Sequence, residues 1–224
     1  MAKPTTRRAG AGRRAGAGEA AGRELLLDAA VRLFAERGIA STTVAEIAAA
    51  THVTSAMVHY WFETRDKLLD ALVEERVAPL IEHIWKVDAE AHDALATVRG
   101  LVARMFEVTE ANPWLPSLWL REIIQEGGLL RERALSRIPT ERNTAFRRAI
   151  VRAQREEGMN SDVSPDLLFF SLLGLVMLPQ ASAKGHRRFR PDAAFDRTAL
   201  ERHVVGLVMH GLTGPAWGGG RSLP

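Results

Sequence analysis

From Arg23 to Arg37, apolar residues fall at Leu26, Ala29, Ala30, Leu33 and Phe34, the spacing of one buried helical face, and Gly38 follows where a helix C-terminus favours glycine. Thr43-Val44-Ala45-Glu46 has the form of a capping box, in which hydroxyl and carboxylate satisfy each other's free backbone amides. The second helix that it opens uses Val44, Ile47 and Ala48 as its apolar face and reaches Ala50. Thr51-His52-Val53 reads as a turn, and Thr54 caps a third, short helix that runs to Trp61. Thr64, with Asp66 in the first turn where the helix dipole favours an anion, starts a fourth. Leu68, Leu69, Leu72, Val73, Val77 and Leu80 carry that helix toward Asp88.

Further helical patterns cover roughly 92–111, 114–126, 139–157, 165–181 and 193–212, separated by Pro, Gly or Asn. Ser164-Pro165-Asp166 combines a cap, a proline at the first turn and an anion, which marks a helix start. Leu200, Val204, Leu207, Val208 and Gly211 make one stripe of the last helix. The pattern contains no convincing strand pair and no repeat of solenoid length, so the expected fold class is all-α.

Composition narrows the setting. A chain of 224 residues with 46% hydrophobic content suits one small and one larger domain. The absence of cysteine excludes disulfides, thiolate metal sites and a cysteine nucleophile, and fits a reducing cytoplasm, the expected location. The longest apolar run, Leu167 to Leu178, is interrupted by Ser171 and Gly174 and falls short of the roughly 20 residues a bilayer needs, so no membrane partner is expected. The first twenty residues lack the apolar core of a secretory signal.

Charge is unevenly distributed. The net charge is +3, yet residues 1–21 hold Lys3, Arg7, Arg8, Arg13 and Arg14 against Glu19 alone, so the remainder is close to neutral. With almost nothing apolar to bury, residues 1–21 are expected to be a flexible basic arm. Such an arm adds phosphate or minor-groove contacts to DNA, or serves only as a solubilising tail. The Gly-rich end, residues 214–224, reads as a flexible tail.

Two short helices joined by a tight turn, at about residues 43–62, suit insertion into a DNA major groove, although a generic helical hairpin has the same outline. The fuller string is Thr43-Val44-Ala45-Glu46-Ile47-Ala48, then Val53 through Phe62, then Arg65-Asp66-Lys67-Leu68-Leu69. It closely resembles the TetR family of bacterial regulators over residues 22–75. The resemblance implies an all-α fold of about nine helices, a helix-turn-helix domain at 22–75 and a regulatory and dimerisation domain at 76–213. It also implies a homodimer on a palindromic double-stranded DNA operator, and repression relieved by a small-molecule effector. An activator, or a ligand-independent regulator of the same fold, stays open.

By position, the resemblance gives Thr43 and Thr54 capping and phosphate-contact roles. Ser55, Ala56, Met57, His59 and Tyr60 fall on the DNA-facing side, and Arg65 stands where the family has a phosphate-contacting lysine. Val53, Val58 and Phe62 look like core. Two positions depart from the family pattern: His52 replaces a turn glycine, a strained choice if φ is positive, and His59 replaces a tyrosine. A histidine gains charge on acidification, so DNA affinity is expected to rise as pH falls. Between Gly22 and Asp70 the net charge is −2, so the arm is expected to matter for affinity.

In the second domain, Trp85, Met105, Phe106, Trp114, Trp119, Phe146, Phe169 and Met177 are candidate lining for an effector pocket, with Arg121 to orient the ligand; the competing reading is ordinary core. His83, Glu122 and Gln180 lie on otherwise apolar helices and suit partnered burial. The helices near 165–181 and 193–212, with small residues Ser171, Gly174 and Gly206, suit a four-helix bundle between two subunits or intramolecular packing. The fourth helix, running from Arg65 to Trp85, is the expected route between DNA and effector. His203 and His210 are seven apart without a third ligand at sensible spacing, so no metal site is expected. Pro215–Ser222 lacks the first glycine, the lysine and the preceding strand of a phosphate-binding loop. No cofactor is expected, and since the sequence nominates no substrate, neither is an enzyme.

Overall fold

In the computed structural model, residues 11–86, 93–183 and 196–214 are described, with side chains from Ala20 onward. Every regular element among them is helical: α1 (Ala11–Arg37), α2 (Val44–Ala50), α3 (Ser55–Phe62), α4 (Arg65–Leu72), α5 (Ala78–Ile84), α6 (Ala94–Ala111), α7 (Leu115–Leu118), α8 (Arg131–Leu135), α9 (Thr140–Glu156), α10 (Pro165–Ala181) and α11 (Arg197–Thr213). A π-helical turn, Val73–Val77, follows α4, and a second, Trp119–Ile124, extends α7. The chain divides into two compact units, the first ending at Arg76 and the second beginning at Val77.

In the first unit α1 presents Leu26, Leu27, Ala30, Val31 and Phe34 to the interior, where they meet Ile47, Val58, Phe62, Leu68, Leu69 and Leu72 from the three shorter helices. Gly38 closes α1 at φ +87°, with its amide bonded to Phe34 O at 2.9 Å. Each shorter helix starts on a threonine whose hydroxyl accepts an amide from the first turn: Thr43 from Glu46, Thr54 from Met57 and Thr64 from Lys67. α1 is longer at its start than the apolar periodicity indicates. Residues 11–21, expected as part of a flexible arm, continue the helix backward; Ala is the best helix former, and extension from a formed helix needs no new nucleus. The arm up to Gly10 lies outside the described residues, as do Asp88 and the tail from Pro215.

An ionic cluster ties the two ends of this unit. Arg23 donates to both oxygens of Glu75 at 2.5 and 2.6 Å, and Arg76 reaches Glu24 at 2.5 Å and Asp28 at 2.8 Å. The Arg23 guanidinium also lies 5.0 Å from the Phe62 ring centre. Its hydrogen bonds hold the Glu75 carboxyl below the usual carboxylate range.

The second unit is built on apolar burial. α6 and α10 share a core of Val98, Leu101, Val102, Met105, Leu172, Leu173 and Val176. Gln180 links these helices by donating to Thr109 Oγ1 at 3.1 Å. Arg197, opening α11, donates to Phe106 O at 2.7 Å and pairs with Glu110 at 2.9 Å. Helix boundaries agree closely with the periodicity, but α8 and both π turns are additional to it. The start α10 makes at Pro165 is as expected, although the Ser164 side chain caps nothing.

Candidate DNA-binding face and effector cavity

The α2–turn–α3 segment owes its shape to local chemistry. Thr43 N and Oγ1 both donate to Glu46 Oε2, at 2.7 and 2.9 Å, while Glu46 N returns a bond to Thr43 Oγ1 at 3.2 Å. Arg37 adds a contact to Glu46 Oε1 at 3.1 Å. These bonds, the one from the Thr43 amide foremost, hold the Glu46 carboxyl below the ordinary range. Thr43 is therefore engaged as a cap, and a phosphate there would have to displace a carboxylate. Past α2, His52 adopts φ +56°, the left-handed conformation that its replacement of glycine makes costly.

α3 separates into two faces. Val58 and Phe62 are buried and hold it to the unit, with Val53 half-buried ahead of them. Ala56, His59 and Tyr60 form an exposed stripe, Tyr60 being 67% exposed, with Ser55 and Met57 half-buried beside it and Thr54 exposed at the capped start. Trp61 turns the other way: its ring edge lies 3.0 Å from where a Cβ on Gly22 would sit, so only glycine fits α1 there without a shift.

Two side chains are placed differently from their expected roles. His59 Nδ1 lies 3.2 Å from Glu63 O, which accepts only if Nδ1 carries the hydrogen, so a neutral ring turns a lone pair, not a donor, to its outer edge. Arg65 is half-buried and donates to Ile39 O, fixing the loop after α1 to the start of α4. It is thus a brace within the unit, with its remaining donors available for other contacts.

In the second unit a cavity of about 10 Å³ is lined by Val77, Ile84, Trp85, Trp119, Phe169 and Met177 among others, with Leu80, Ile81, Leu115, Ile138 and Leu173 completing the wall. Of the candidates, Trp85, Trp119, Phe169 and Met177 are brought together; Trp85 and Phe169 lie 4.6 Å apart between ring centres. Phe146 meets Trp85 edge-on at 6.1 Å without lining the cavity. Met105 and Phe106 are core of α6, with Phe106 beneath Arg197, and Trp114 is half-buried ahead of α7. Arg121 also departs from expectation. Leu115, Leu118, Trp119 and Glu122 share the inward stripe, which leaves Arg121 on the outward side, where it lines an open groove with Ser117, Gln125 and Ser182. The aliphatic wall was indistinguishable from core in sequence; its signal is the stripe Val77, Ile81, Ile84 and Trp85.

The remaining polar residues have structural partners. His83 Nε2 lies 3.1 Å from Glu107 Oε2 and Glu122 Oε2 accepts from Leu129 N at 3.4 Å. His203 and His210 are exposed, and among the described residues no three His, Asp or Glu side chains gather at metal-binding distance. No helix among those residues is long and apolar enough to cross a membrane. Exposed apolar side chains instead mark α10, where Leu167, Phe170 and Leu178 share a face with Ser171 and Gly174, and α11, at Leu207.

Residues 26–72 match the family described as bacterial regulatory proteins, tetR family. The chain is 24% identical over 190 residues to the HTH-type transcriptional repressor KstR2 of Rhodococcus jostii (strain RHA1), covering 85% of this chain and 90% of that one. It is 30% identical over 121 residues to the HTH-type transcriptional regulator BetI of Burkholderia mallei (strain NCTC 10229), covering 54% and 62% of the two chains. Its fold is similar to that of the ketosteroid transcriptional regulator KstR2 of Mycobacterium tuberculosis, with a TM-score of 0.65 at 21% identity, over 85% of this chain and 94% of that one.

Proposed function

We propose that this chain, a DNA-binding transcriptional regulator whose residues 26–72 match the TetR family, is a homodimeric repressor released from a palindromic operator by a small-molecule effector. The observation that carries the reading is the exposed stripe Ala56, His59 and Tyr60 on a helix whose opposite face is locked into the core. A helix held that way meets a groove with fixed side chains rather than mobile ones. Thr54 and Ser55 at its start lie where backbone amides favour phosphate, and Met57 adds apolar surface. His59 adds an imidazole edge to the same stripe.

The proposed domain plan is a basic arm at 1–21, a DNA-binding domain at 22–75, a regulatory and dimerisation domain at 76–213 and a tail at 214–224. The apolar faces of α10 and α11 supply the dimer interface in this reading, since exposed Leu167, Phe170, Leu178 and Leu207 gain most by burial. The cavity beside Trp85 and Trp119 is the effector site. Release follows if the effector binds better to the conformation that does not fit DNA. A soluble cytoplasmic protein without catalytic activity is part of the same proposal.

Fluorescence anisotropy with duplexes tiling the DNA upstream of its own gene tests the reading. Selective binding by the wild type and at least about tenfold weaker binding by Tyr60→Ala are expected, the loss of one good contact. Equal binding by both proteins would remove α3 from the interface. Deleting residues 2–18 is expected to weaken binding and flatten its salt dependence, as fewer counterions are released.

A further inference from the structure

Two buried side-chain nitrogens among the described residues have no hydrogen-bond partner, Arg197 Nε and Trp119 Nε1. They differ in kind. The other nitrogens of Arg197 are bonded to Phe106 O and Glu110, so its guanidinium is mostly satisfied. Trp119 has a single polar side-chain atom, is 4% exposed, lines the cavity, and leaves that atom unused. Native folds hold few such donors, because each forfeits the hydrogen bond it made with water when unfolded.

Water is a poor partner in this cavity. A buried water needs two to four polar neighbours, whereas the other lining side chains are hydrocarbon, the Met177 thioether and the second indole, Trp85. A charged ligand is worse served, since no lining side chain carries a countercharge. The wall is also adjustable at two points. Val77 ends one π-helical turn and Trp119 begins the other, and relaxing a π turn to α geometry re-aims the side chains at its edge. Such movement is needed, for about 10 Å³ of free space admits no organic molecule as it stands.

We propose that the effector is an uncharged, largely hydrocarbon molecule bearing one acceptor oxygen, which accepts a hydrogen bond from Trp119 Nε1–H while its skeleton displaces the apolar wall. The proposal rests on the reading of the second unit as an effector domain, and names the class of effector. The indole donor sets selectivity, and the hydrocarbon wall supplies most of the binding.

Two probes of one shape test it, 2-decalone and 2-methylenedecalin, which differ by an oxygen exchanged for a methylene. Titrations are followed by the indole N–H signals of the nitrogen-15 tryptophan-labelled full chain, in the wild type and in Trp119→Phe. The substitution is expected to weaken the ketone about tenfold and the methylene analogue by less than about twofold, as removal of one hydrogen bond predicts. In the wild type, the Trp119 N–H signal should move downfield with the ketone alone, which keeps the test independent of the variant's folding. Equal loss for both probes, no loss for either, or no binding of the ketone at its solubility limit would overturn the proposal. Operator affinity measured alongside separates the two readings. A ketone that binds through Trp119 without altering DNA affinity keeps the ligand class assigned to the cavity but removes ligand-induced release, and with it the role of effector. A ligand that releases DNA independently of Trp119 does the reverse.

Discussion

The two units of the chain are stabilised in different ways. In the first, three short helices each begin on a threonine that bonds into its own first turn, and the charged groups of Arg23, Asp28, Glu75 and Arg76 join its sequence-distant ends. In the second, α6 and α11 start on aspartate caps, but α7, α8, α9 and α10 start without a side-chain cap, and large buried side chains such as Met105, Phe106 and Leu118 carry more of the holding. A face proposed to meet DNA in one geometry is served by directional bonds. A cavity proposed to admit a ligand is served by packing that can be rearranged, since apolar contacts have no required angle.

The comparison is broken most severely by removing bulk from the second unit. Phe106→Ala, at a ring 1% exposed, should cost about 3–5 kcal/mol in urea unfolding followed by circular dichroism. A loss below about 1 kcal/mol would show that packing is looser there than the burial implies. In the first unit the corresponding blow is to the ionic cluster. Arg76→Ala strands Asp28 and leaves Glu24 only Arg23 at 3.7 Å, and a loss of about 2 kcal/mol is expected, between the values for exposed and buried pairs.

Acid sharpens the same contrast. Because hydrogen bonds from Arg23 lower the Glu75 carboxyl in the folded chain, its contribution is fully present above the ordinary carboxylate value and disappears as pH falls through the lowered one. Wild type should therefore exceed Glu75→Gln in stability at neutral pH, with the difference closing as pH falls below the ordinary carboxylate range. A difference that persists unchanged in acid would assign the loss to packing. Thr64→Ala should cost about 1 kcal/mol through the cap alone. The smallest effect has the opposite sign. His52→Gly relieves a φ of +56° and is expected to add a few tenths to about 1 kcal/mol, read as a higher melting temperature.

The contrast also explains what could be read from the sequence. Caps and turns are local: Thr43 with Glu46, Thr54, Thr64 and Gly38 announce themselves within four residues, so the boundaries of α2, α3 and α4 were legible. His52 was legible as a strained position because a resemblance supplied the glycine it replaces. Engagement was not. That Glu46 occupies both donors of Thr43, and that Arg65 reaches Ile39 across 26 residues, depends on how the elements come together. In the second unit the periodicity located the helices, but the π turns arise where packing forces an extra residue into a turn, and composition has no mark for that. α8, only five residues long and opening shortly after Gly127-Gly128, is too short for periodicity to reveal. Of the candidate lining residues, Trp85, Trp119, Phe169 and Met177 line one cavity, whereas Arg121 lies on the opposite side of its turn.

Tyr60 is the single tyrosine of the chain, and its ring centre lies 6.4 Å from that of Trp61. One ring is open to solvent and the other leans on Gly22. At that separation, light absorbed by the phenol passes readily to the indole, and any partner that stacks on or shifts Tyr60 alters the transfer. The protein therefore carries its own optical gauge of what touches α3, readable without a dye and without a label.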